Sequence, residues 1–182
     1  MMHPSAHTDT FTRDNLPPDN ERPDILHTLP GLDYPAELNC VDPLLDVHVR
    51  EGRGDELAVR SLHESWTYQQ LQSRVNSIAN VLVSRGVKAG ERVLLRFPNS
   101  PLFAASYLAV LKCGAVAVPT MPMLRATELR TFSAKAEVKY AICDLSLAAE
   151  LAELSFEGIL LSDELESLMD SADKGFDTVQ TA

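Results

Sequence analysis

Catalysis or metal binding needs nucleophiles, bases, ligands or phosphate cradles at particular spacings, and this sequence brings few of them together. His3, His7, His27, His48 and His63 lie in the N-terminal arm or near turns and form no H-E-x-x-H motif or other metal-ligand pairing, so they read as exposed polar residues, not metal ligands. Ser100 and Ser106 stand outside any G-x-S-x-G turn, which leaves a hydrolase triad without support. Cys40, Cys113 and Cys143 have no C-x-x-C spacing and read as reduced core residues of a cytoplasmic protein, with a reactive thiol as the alternative. The 8 glycines stand singly at turns and helix ends, apart from Gly52 and Gly54 in an early loop. Neither G-x-G-x-x-G nor G-x-x-x-x-G-K-[ST] occurs, which argues against a Rossmann cofactor site and an NTPase phosphate loop.

Charge narrows the partners. The chain has 182 residues and a formal net charge of -10. Residues 144–182 hold 10 acids against the single base Lys174, whereas residues 1–143 hold 16 acids and 15 bases. An acidic balance repels phosphates, so nucleic acid and anionic membrane surfaces are not expected partners. No apolar stretch opens the chain as a secretory signal would, and the longest uncharged run, 97–111, is interrupted by Pro98 and Pro101. The expectation is a cytoplasmic protein without a membrane span.

The elements that would position any site follow from periodicity and punctuation. Seven of the 11 prolines fall within the first 43 residues, so residues 1–40 are expected to form an extended arm with a disordered tip, holding to a surface through Leu26, Leu29, Leu32 and Tyr34. Residues 44–49 suggest a short helix, and 57–60 and 65–67 two short strands. Thr67 with Gln70 forms a capping-box pattern. Leu71, Val75, Ile78, Ala79, Leu82 and Val83 then repeat as one helical face that ends at Gly86. Residues 92–97 read as a strand, and Ser100-Pro101 opens an apolar helix that stops at Gly114. Residues 115–118, with no polar face, suit the centre of a parallel sheet. A helix over 127–136 with Leu129 and Phe132 inward, a strand over 138–143, a helix over 146–154, a strand over 158–161 and a helix capped by Ser162 complete the order. Such β-α-β alternation predicts an α/β fold: an open, mostly parallel sheet with helices on both faces, over residues 41–169. Residues 170–182 read as an acidic linker or solvated tail.

One set of residues carries a family likeness. Trp66-Thr67-Tyr68-Gln69-Gln70-Leu71 resembles the first core motif of the adenylate-forming acyl-CoA synthetases. The run from Leu111 through Lys112-Cys113-Gly114 to Val118-Pro119 resembles their second, and Gly86 to Val93, Asn99-Ser100 and the Leu129 to Asp144 segment agree with the family pattern. The likeness covers residues 44 to about 165. Asn15-Leu16-Pro17-Pro18, Leu29-Pro30, Tyr34-Pro35, Leu38-Asn39 and the 118–125 run are similar to the benzoate- and 2-aminobenzoate-CoA ligase branch.

The resemblance implies the N-terminal subdomain of a two-step ligase. A carboxylate attacks the α-phosphate of ATP to give an acyl-adenylate and pyrophosphate, and the CoA thiol then displaces AMP. ATP, Mg and CoA are thereby implied for the parent enzyme, with none bound by this portion alone. The family's Ser/Thr/Gly-rich phosphate loop does not occur here, and none of Lys88, Lys112, Lys135, Lys139 or Lys174 stands in the motif of its catalytic lysine. The expectation is a scaffold lobe with no catalytic residue, inactive by itself, whose partners are the remainder of the ligase and a small aromatic carboxylate, and which self-associates through apolar surface. Met121, Pro122 and Met123 resemble a loop near CoA in some relatives; the other reading is a hydrophobic loop packed on its own sheet. A stand-alone flavodoxin-like interaction domain, docking a partner through the arm, is the alternative from another functional class.

Overall fold

Thr67 and Gln70 cap each other reciprocally: Gln70 N donates to Thr67 Oγ1 at 3.3 Å and Thr67 N to Gln70 Oε1 at 2.9 Å. They launch the longest helix of the computed structural model, which describes residues 5–24, 29–31 and 34–181. That helix, α3 (Tyr68–Ser84), follows two short helices, α1 (Phe11–Asp14) and α2 (Val47–Arg50), and an antiparallel pair of strands, β1 (Leu57–Arg60) and β2 (Ser65–Thr67). Leu71, Val75, Ile78, Ala79 and Leu82 are buried, as their helical spacing requires. Val83, expected with them, is half-exposed at the margin of the stripe.

The main sheet follows as β3 (Arg92–Arg96), α4 (Pro101–Lys112), β4 (Val116–Thr120), α5 (Ala126–Lys135), β5 (Tyr140–Cys143), a 3₁₀ helix (Leu145–Leu151), β6 (Gly158–Leu161) and α6 (Ser162–Ser171). All strand pairings are parallel, in the order β4-β3-β5-β6. The chain steps from β3 outward to β4, then crosses back to the other side of β3. With right-handed crossovers this puts α4 on one face and α5 on the other. Val93 and Leu95 accordingly pack with α3, α4 and α6, while Leu94 packs with Leu129 of α5 and Leu151 of the 3₁₀ helix. The α/β fold with helices on both faces is thus observed.

Several local expectations are corrected. The apolar strand at 116–120 lies at the sheet edge among the described residues, not its centre, which also explains how it accommodates Pro119, a residue without an amide donor. Phe132 is half-exposed rather than inward. The segment expected as a helix over 146–154 is a 3₁₀ helix started by Asp144, whose Oδ1 accepts from Ser146 N at 2.9 Å. Ser162 does not cap α6; its Oγ accepts from Leu145 N at 3.0 Å. Cys40 is exposed, and only Cys113 and Cys143 are core residues. Among the described residues no helix is long and apolar enough to cross a membrane.

Among the described residues, segments near both termini are docked on the fold. The arm includes the helical turn α1, in a stretch free of proline, so it is not wholly extended. Thr8 N and Asp9 N both donate to Ala89 O, at 2.9 and 3.0 Å. Leu29 and Tyr34 are mostly exposed, and Leu26, Leu32 and the arm's tip lie outside the described residues, as do His3 and His27. Residues 172–181 are no solvated tail. Asn76 and Asn80 of α3 donate to the carbonyls of Lys174, Asp173 and Gly175, and Val179 N donates to Lys112 O at 3.0 Å. Asn39 joins the two ends: its Nδ2 donates to Leu111 O at 2.7 Å and to Val179 O at 2.8 Å.

Candidate functional site at the carboxyl edge of the sheet

In a strand, alternate residues face one side. Arg92, Leu94 and Arg96 of β3 therefore point toward the α5 layer, and both arginines are almost fully buried. A guanidinium cannot lose its proton under these conditions, so burial demands acceptors for its donors. Arg92, at the amino end, donates to Ala136 O at 2.7 Å and Glu137 O at 3.0 Å, and pairs with Asp9 of the arm at 2.5 Å. It also lies 4.5 Å from the ring of Phe11. One buried cation thus anchors the arm.

Arg96 occupies the opposite end, where ligands of open α/β sheets collect outside the carboxyl ends of strands at the point where the order reverses. Its Nη1 donates to Met121 O at 3.1 Å, its Nη2 to Pro122 O at 3.0 Å and Leu124 O at 2.8 Å, and its Nε to Leu147 O at 3.3 Å. The carbonyls of the loop after β4 are therefore turned inward. Met121 and Met123 point out, 60% and 79% exposed. A hydrophobic loop packed on its own sheet is not what these exposures describe. Beside it runs a groove of about 930 Å³, walled by Phe11 and Leu16 of the arm, Val118, Met121, Leu124 and Phe132.

A second buried polar group lies on the other face. Lys112 Nζ contacts Asp46 Oδ1 at 2.6 Å with both side chains nearly inaccessible. Thr178 Oγ1 donates to Asp46 Oδ2 at 2.6 Å and Gln72 Nε2 to Oδ1 at 2.8 Å. Burial alone would raise the Asp46 carboxyl, but hydrogen bonds from Lys112, Thr178 and Gln72 outweigh it and hold the group below its ordinary value of 3.8. Lys112, Thr178 and Gln72 all direct a hydrogen bond to Asp46 inside the protein, which makes the cluster a structural one. Burial pushes the Cys113 and Cys143 thiols up to about 11, which leaves both as inert thiols at neutral pH. Among the described residues no three His, Cys, Asp or Glu side chains converge as metal ligands, so no step is assigned to a metal held by this chain.

Met121, Pro122 and Met123 are brought to one exposed loop. His7, His48 and His63 are scattered over the arm, α2 and the β1–β2 turn. Arg96, Asp46 and Lys112 were not singled out as interacting residues from sequence, although two arginines inside a five-residue apolar strand are a signal, because a strand covered on both faces must find partners for them.

The sequence pattern of the AMP-binding enzyme family matches residues 45–179. The uncharacterized acyl-CoA ligase YtcI of Bacillus subtilis is 38% identical over 101 residues, covering 50% of this chain and 19% of the relative. The 3-hydroxybenzoate-CoA ligase of an Aromatoleum species is 29% identical over 120 residues, covering 66% and 23%. Among solved structures, the anthranilate CoA ligase AuaEII in complex with anthranoyl-AMP superposes with a TM-score of 0.75 at 21% identity, over 82% of this chain and 30% of that one. The four-stranded sheet and its helices match the N-terminal subdomain of adenylate-forming ligases. The chain spans about a fifth of the length of the two curated relatives named here. With about three-quarters of its residues inside the family pattern, and the motif residues at the turns and caps where they shape the sheet, the chain belongs to the AMP-binding enzyme family.

Proposed function

We propose that this chain is the N-terminal lobe of an ATP-dependent aryl-CoA ligase, which converts a carboxylate, ATP and CoA to an acyl-CoA, AMP and pyrophosphate through an acyl-adenylate. The observation that carries the reading is the family match across residues 45–179 on a sheet with an exposed loop at its carboxyl end and an apolar groove running along its edge strand β4. Aryl-CoA ligases among the relatives support an aromatic acid, with benzoate or 2-aminobenzoate as the proposed substrate. The lobe acts as scaffold. Met121, Pro122 and Met123 are its CoA-proximal residues, offering thioether and ring surface to the apolar part of that ligand. ATP, Mg and the acyl group are handled by the remainder of the ligase, the lobe's principal partner, in the cytoplasm.

Pyrophosphate release tests both parts. The whole ligase is expected to release pyrophosphate from ATP with benzoate or 2-aminobenzoate above a no-acid blank, and the 182-residue chain is expected to match the blank. Activity of the isolated chain overturns the scaffold role. Release by the whole ligase with aliphatic acids alone overturns the aromatic reading.

A further inference from the structure

We propose that Arg96 is the positioning residue of the 121–124 loop, its buried guanidinium setting the backbone on which Met121 and Met123 are presented. The inference rests on the reading of that loop as CoA-proximal. Arg96 is 1% exposed, and among the described residues no carboxylate forms an ion pair with it. Its hydrogen bonds all go to backbone carbonyls, three from the loop after β4 and one from the 3₁₀ helix after β5, and the Glu150 carboxylate is near enough to feel its charge without pairing with it. The planar fork is needed because these acceptors belong to two segments on opposite sides of β3; an ammonium is a single point and cannot span them.

A second feature makes the arrangement specific to the loop. Met121 O accepts from Leu124 N at 3.1 Å, closing the turn, and from Arg96 Nη1 as well. Without the guanidinium, the carbonyls of Met121, Pro122 and Leu124 would need other partners, and the turn would open toward water. A loop already ordered loses less freedom when a ligand settles on it, so Arg96 acts on ligand affinity and not on the chemical steps.

The test uses Arg96→Lys and Arg96→Met in the whole ligase. Hydrogen exchange at the Leu124 amide is expected to speed up roughly 10- to 100-fold in both variants, and KM for CoA to rise about tenfold, as loss of charge-assisted hydrogen bonds implies. Pyrophosphate release in the absence of CoA is expected to stay within about twofold of the parent, because that half-reaction does not involve the ordered loop. Unchanged exchange at Ile142, on the neighbouring strand, shows that the sheet is intact. If Arg96→Met does not fold, Arg96→Lys carries the test. Unchanged Leu124 exchange in a folded variant overturns the inference. Faster exchange with an unchanged KM for CoA upholds Arg96 as the loop's positioning residue and overturns the CoA reading of the loop.

Discussion

Val179 lies directly over Gly114: a β-carbon placed on Gly114 would sit 2.9 Å from Val179 Cγ1 and 3.1 Å from Ala89 Cβ. Gly114 also has φ +77, where only glycine is unstrained. This motif residue thus makes the turn from α4 into β4 and clears the path of the C-terminal segment. Gly114→Ala is expected to destabilise the fold by about 1–3 kcal/mol, from left-handed strain plus overlap. Urea unfolding of Gly114→Ala with and without Val179→Ala checks it. The double variant should recover the overlap and keep the strain; no recovery would separate the segment from the glycine.

The Asp46–Lys112 pair predicts an asymmetry. Lys112→Met leaves a buried carboxylate without its cation and is expected to cost about 3 kcal/mol or more, whereas Asp46→Leu combined with Lys112→Met removes both charges and costs less. Denaturant midpoints of these variants and of Asp46→Leu alone decide. A double-variant loss equal to that of Lys112→Met plus that of Asp46→Leu measured alone would mean that the pair is not coupled.

The same carboxylate sets an acid limit. Its folded pKa is below the ordinary 3.8, so the stability it contributes is complete above that value and is lost as pH falls through the folded pKa. The stability gap between the parent and Asp46→Asn should therefore be constant toward neutral pH and shrink below pH 3.8. A gap that instead widened with acid would contradict the depressed value.

The thiols should report burial. With a chromogenic disulfide reagent at neutral pH, Cys40 is expected to react in the native protein, and Cys113 and Cys143 only after unfolding, since both are buried with pKa values of about 11. Native titration of more than one thiol would show that the core opens.

The arm should come free on a single substitution. A β-carbon at Gly90 would overlap the Asp9 carbonyl, and Gly90 has φ +92. Gly90→Ala is expected to raise protease cleavage within residues 5–16 about tenfold or more by displacing the arm, with little change in cleavage of the sheet. Unaltered cleavage would show that the arm is held without this contact.

Local rules determined much of this protein from sequence alone. The Thr67 capping box, the Leu71-to-Leu82 stripe, the Ser100-Pro101 start and the turn at Gly114 are short-range events, governed by hydrogen bonds and dihedral limits a few residues apart. Alternation of strand and helix then leaves few topologies to consider, so the parallel sheet was legible too. Tertiary structure alone decided which strand stands at the edge, since 116–120 is apolar enough for either place. It also decided the fate of the C-terminal segment, whose backbone bonds come from Asn39, Asn76, Asn80 and Lys112, residues 67 to 140 positions away, at separations where periodicity carries no signal. The loop at 121–124 could be found by resemblance. That its carbonyls face inward and its methionines outward depends on Arg96, a strand away, because a buried guanidinium must take whatever acceptors the fold brings to it.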